Sequence, residues 1–153
     1  MSLGRRDWLR WGALSAIAVA ATEASAQDKD AKKAGAGVLS VPDYLDRVAL
    51  LLDENRRAQD WVGYHPGGTG LSSMALELAE LRSVLAARLG VPPTLKQAHM
   101  HMLLALENTQ ASFDATARGD AKKAAQRMSV ARTEEQTMLL AFEAAKVKVP
   151  PIK

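Results

Sequence analysis

The chain has 153 residues, 20 Lys and Arg against 17 Asp and Glu, and a formal net charge of +3. It contains no cysteine, which excludes disulfides, thiolate metal sites and c-type haem attachment. Its basic residues are scattered and form no stripe that could track phosphates, so nucleic acid is not an expected partner.

The first element is a leader. Gly4-Arg5-Arg6-Asp7-Trp8-Leu9-Arg10 precedes a mildly apolar run over residues 11–21, and Ala24-Ser25-Ala26 follows. The run is too short to cross a bilayer, which takes about 20 apolar residues. The small-x-small triplet predicts cleavage after Ala26. Arg5, Arg6, Trp8 and Leu9 in this spacing resemble a twin-arginine (Tat) signal peptide, with Trp8 in the aromatic place and Arg10 in the place of Lys. The resemblance implies export of an already folded protein by the Tat translocase and removal of residues 1–26 by signal peptidase. It also implies a periplasmic or secreted product with no permanent membrane anchor. A Sec signal with two adjacent arginines is the alternative. Because a small helical domain folds quickly, fast folding alone is a sufficient reason for such a route.

Residues 27–39 are charged, Ala- and Gly-rich and without periodicity, and they read as a disordered linker. From residue 40 to residue 149 the pattern is helical throughout. The expected fold is all-α, an up-down-up-down antiparallel four-helix bundle, with residues 150–153 as a tail.

The first helix is expected over residues 42–62. Ser40 and Asp43 make a capping-box-like start, and the seam is Leu45, Val48, Leu52, Asn55, Gln59 and Val62. The following loop is Gly-rich but lacks the Lys-Ser/Thr of a phosphate loop. The second helix is expected over residues 71–89, with the seam Leu71, Met74, Leu78, Leu81, Leu85 and Leu89. Gly90 and Pro92-Pro93 end it. The third is expected over residues 94–118, opened by the capping box Thr94-Leu95-Lys96-Gln97, with the seam Leu95, His99, Met102, Leu106, Thr109, Phe113 and Thr116. Gly119 stops it and Asp120 caps the fourth, over residues 121–146, whose seam is Ala124, Met128, Ala131, Glu135, Met138 and Phe142.

Two ionisable residues fall on these apolar faces. At 100° per residue His99 lies near the centre of the third helix's seam and Glu135 near the centre of the fourth's. An unpaired buried carboxylate costs several kcal/mol, so Glu135 must be paired, protonated or tilted to solvent. One reading is that His99 and Glu135 hydrogen-bond each other and set helix register. Another is a locally shifted seam that leaves both groups wet. A third is a metal set of His99, Met102, Glu135 and Met138, whose thioethers and imidazole suit copper, or a haem held across the bundle. A di-iron site is excluded, because no Glu-x-x-His pair occurs.

Leu50, Leu76, Met100, Leu104 and Leu140 fall away from the seams. Met100, Leu104 and Leu140 share one level and suggest an outer patch for a homodimer or a docking partner. No nucleophile or paired-acid motif is present, so the chain is expected not to be an enzyme. The function this supports is that of an exported helical bundle binding a partner protein or small ligand. A periplasmic copper- or haem-binding bundle is the alternative.

Overall fold

The computed structural model describes residues 37–65 and 69–150. Arg5, Arg6, Trp8, Leu9, the cleavage site after Ala26 and most of the linker lie outside the described residues. Among the described residues there are four α-helices: α1 Val41–Tyr64, α2 Thr69–Ala87, α3 Lys96–Ala117 and α4 Ala121–Ala144. Among the described residues there is no strand, and no helix is long and apolar enough to cross a membrane.

Side-chain pairs fix the relative directions of α1, α3 and α4, and the Leu39 N–H on the Gly90 carbonyl places the end of α2 beside the start of α1. Tyr44 meets His99 and Asn55 meets Thr109, so α1 and α3 run the same way. His101 meets Glu134, Asn108 meets Arg127 and Ser112 meets the carbonyl of Ala124, so α3 and α4 run in opposite directions. This is the up-down-up-down bundle. Helix α3 is its central member, packed most extensively on α4 and next on α2.

Local chemistry accounts for several helix ends. The Ser40 hydroxyl accepts the Asp43 N–H at 3.3 Å and donates to the Asp43 carboxylate at 2.5 Å, which opens α1. The Asp120 carboxylate accepts the Lys123 N–H at 3.0 Å and opens α4. Between α3 and α4 the Asp120 N–H reaches the Ala115 carbonyl and the Gly119 N–H reaches that of Thr116, a Schellman turn. Its pivot, Gly119, has φ +77°, a conformation that glycine adopts without steric cost. The expected Thr94 capping box is not formed. A single 3-10 turn, Pro93–Leu95, leads into α3 instead, with the Leu95 N–H bonded to the Pro92 carbonyl. Consecutive prolines favour this tight entry, since neither has an N–H for a cap to satisfy. Leu39, expected in the linker, belongs to the bundle: its N–H bonds the Gly90 carbonyl and its side chain packs on the core.

The core has two apolar clusters. The larger contains Tyr44, Leu52, Leu95, Met102, Met138 and Phe142, and the smaller Val62, Ala75, Ala79 and Phe113. Between them along α1 lie Asn55 and Gln59, along α2 Arg82, and along α3 Thr109, all buried. A polar layer therefore divides the bundle at mid-height.

The seam of the second helix needs correction. Leu71, Met74, Leu78, Leu81 and Leu85 are exposed, and the buried row of α2 is Ser72, Ala75, Ala79, Arg82 and Ala86. A helix with alanine on one face and leucine on an adjacent face has two apolar faces. The larger residues dominate any hydrophobicity count, but the small ones let helix axes approach, and the bundle uses the small face.

Candidate functional site

His99 and Glu135 do not meet. Each is claimed by a side chain of α1. The Tyr44 hydroxyl lies 3.0 Å from His99 Nδ1, with both groups buried and their rings 5.9 Å apart. Burial pushes the Tyr44 phenol well above its ordinary range and the His99 imidazole below its own. The phenol therefore keeps its proton and the imidazole is neutral, so the hydrogen bond joins two uncharged groups. Glu135 forms its ion pair with Arg56, whose Nε donates to Oε1 at 2.6 Å and whose second guanidinium nitrogen contacts the same oxygen. The pair is asymmetric in burial: the Glu135 side chain is 11 % exposed and that of Arg56 53 %. The cation's long stem reaches over the rim of the bundle while the carboxylate stays inside.

The register-pair reading of His99 with Glu135 is thereby corrected. Position on a helical face states which residues turn inward but not which neighbouring helix they find there. Tyr44 precedes seam residue Leu45 and Arg56 follows seam residue Asn55, so both sit beside the predicted seam. The same pairings bear on the metal set. Two of its four members, His99 and Glu135, are committed to intramolecular partners, and Met102 and Met138 are buried in the larger apolar cluster. Among the described residues no three His, Asp or Glu side chains gather around one point.

The polar layer is built on Thr109. Its hydroxyl donates to the Ala105 carbonyl at 2.9 Å and accepts from Asn55 Nδ2 at 3.3 Å and from Gln59 Nε2 at 3.0 Å. Asn55 Oδ1 and Arg82 Nε and Nη2 are buried without a hydrogen-bond partner. Arg82 has Glu54 of α1 nearby, which favours its charge, but desolvation outweighs this and lowers its pKa. The signal for Arg82 in the sequence was its place in the alanine row, three residues after Ala79 and four before Ala86.

Two kinds of surface surround this interior. Along the α1–α4 side runs an open cleft of about 380 Å³ lined by Arg56, Gln59, Arg132, Glu135 and Leu139. On α2 the surface is apolar: Leu71, Met74, Leu78, Leu81, Val84 and Leu85 are 41 to 60 % exposed. The expected patch on α3 and α4 is smaller. Met100 and Leu140 are exposed and Leu104 is half-buried.

Comparison with known proteins returns no matching family model, no similar curated protein and no similar solved structure. The functional reading therefore rests on the chemistry of these surfaces.

Proposed function

We propose that this chain is an exported, non-enzymatic four-helix bundle that works by binding a partner protein through the outer face of α2. The observation that carries this is the row of six large apolar side chains on one helix, with alanines of the same helix turned to the core. Leucine in water gains nothing for an isolated bundle, and contiguous apolar surface of this kind marks contact sites. The intramolecular pairing of His99 and Glu135 supports a structural role for them over a catalytic or metal-ligating one.

A photo-crosslinking amino acid at position 78, incorporated in cells that export the chain, tests this. An adduct of raised mass is expected there and not from the same group at exposed Glu107. No adduct from any stripe position would sink the proposal. Export by the twin-arginine route is tested separately: replacing Arg5 and Arg6 by lysine is expected to leave the uncleaved chain in the cytoplasm. An absorption spectrum and metal analysis of the exported protein test the copper or haem alternative, which needs a Soret band or stoichiometric copper.

A further inference from the structure

We infer that a cleft between the end of α1 and the start of α4 is a small-molecule site for an apolar carboxylic acid with a hydroxyl or N–H beside its acid group. The site lies away from the outer face of α2 and stands independently of the partner-binding reading. This second cleft, of about 590 Å³, continues the one at Arg56 and Glu135 and shares Gln59 and Arg132 with it. Small-molecule sites are concave and of this size, with apolar walls and a few polar groups gathered at one place. Val62 of α1 and Ala121, Ala124, Ala125 and Met128 of α4 supply the walls. Ser112 and Thr116 of α3 also line the cleft, but their hydroxyl protons are committed to the Ala124 and Ser112 carbonyls.

Helix register sets the polar end. Arg56 pairs with Glu135, and α1 and α4 are antiparallel, so one turn further along Gln59 and Arg132 stand level across the cleft. Arg132 is the only charged side chain among the described residues lining the larger cleft, and it forms no ion pair or side-chain hydrogen bond. Glu135 is neutralised by Arg56, and Asp60 lines the smaller cleft alone. No carboxylate of the chain therefore holds the Arg132 guanidinium.

Gln59 gives the second contact, and it is only 8 % exposed. Thr109 donates its hydroxyl proton to the Ala105 carbonyl, so toward Gln59 it can only accept. That fixes Gln59 Nε2 on Thr109 and turns Oε1 away from it. Oε1 has no donor and is not sealed from solvent. A buried amide with a bare acceptor, level with an unpaired cation, fits a ligand that brings a negative charge and a donor together. A carboxylate accepts from the planar Arg132 fork, and a hydroxyl or N–H on the adjacent carbon donates to Oε1. The apolar remainder of the ligand then lies along Val62, Ala125 and Met128.

Fluorescence titration of the exported protein with 1-anilinonaphthalene-8-sulfonate tests the site, because this probe joins apolar rings to an anion and an N–H. One saturable site per chain is expected. Arg132→Gln is expected to weaken binding about tenfold, the loss of one charge-assisted contact. Ala125→Glu sets a like charge in the cleft and is expected to weaken it about as much. Both positions are exposed, so helical circular dichroism is expected to be unchanged. Leu78→Asp is expected to leave the site intact. 2-Hydroxydodecanoate is expected to displace the probe at several-fold lower concentration than dodecanoate, since only the hydroxy acid offers Gln59 a donor. No saturable binding overturns the inference, as does binding that Arg132→Gln and Ala125→Glu both leave unchanged. Binding removed by Leu78→Asp and kept in Ala125→Glu puts the probe on α2, which overturns the cleft site and leaves partner binding standing. Equal displacement by the two acids overturns the part assigned to Gln59.

Discussion

Helices α2 and α3 lie side by side and use their apolar residues in opposite ways. In α3 the seam residues Met102, Leu106 and Phe113 are fully buried, Met100 is exposed, and the surface also carries Lys96, Gln97 and Glu107. In α2 the buried row is mostly alanine, while leucine, methionine and valine face out. The lesson is that hydrophobic periodicity identifies a helix with a sticky face but not the object it adheres to. Helix α3 satisfies the bundle. Helix α2 satisfies it with small residues and leaves its large ones on the surface.

The contrast is most sharply tested by truncating one large residue from each helix. Met102→Ala opens a cavity in the larger cluster and is expected to cost 2–5 kcal/mol of unfolding free energy, on the order seen for buried aliphatic residues. Leu78→Ala, measured in dilute protein by chemical denaturation, is expected to change it by no more than about 0.5 kcal/mol. Its effect should appear instead in binding at the outer face of α2. Equal losses in dilute protein would mean that the two helices are used alike.

The second test concerns the polar members of the interior. Arg56→Ala strands the Glu135 carboxylate and is expected to cost about 2 kcal/mol, less than for a fully buried pair because half of the arginine faces water. Arg56→Ala with Glu135→Leu should recover most of the loss. A single variant as stable as the parent would show that Glu135 reaches solvent unaided.

Enlarging the alanine face of α2 is the third. Ala79→Leu pushes side-chain volume into the buried face of α2 and is expected to destabilise by about 1–3 kcal/mol, although leucine is the more hydrophobic residue. A stabilised variant would mean that the alanine face is loosely packed.

The smallest effect belongs to His99. Burial lowers its folded-state pKa below the ordinary imidazole value, so below about pH 6.5 the unfolded chain binds more protons than the folded one. Its contribution is therefore fully present above that pH and is lost as pH falls toward the folded value. His99→Gln is expected to flatten the fall in stability between neutral and mildly acid pH. An unchanged slope would place the proton uptake elsewhere.

Much of this was readable in residue order. The seams of α1, α3 and α4 face inward as their spacing predicts, down to Asn55, Gln59, His99 and Glu135. The Ser40 and Asp120 caps and the Gly119 stop act within four residues of themselves, which is why local reading found them. Tyr44 and Arg56 as partners for His99 and Glu135 were not readable. Those pairs span 55 and 79 residues, and nothing in the spacing along one helix selects among the neighbours it meets.

The sequence by itself determined that residues 40–149 make four helices, where three of them turn their apolar faces, and that polar groups interrupt the core. Periodicity and capping are local, and their energies are set within a turn or two of helix. Only the tertiary structure decided which of the two apolar faces of α2 goes inside. That choice depends on how closely the helix axes can approach, a property of the pair and not of either helix. Alanine permits the close approach, so the leucines are left in the open.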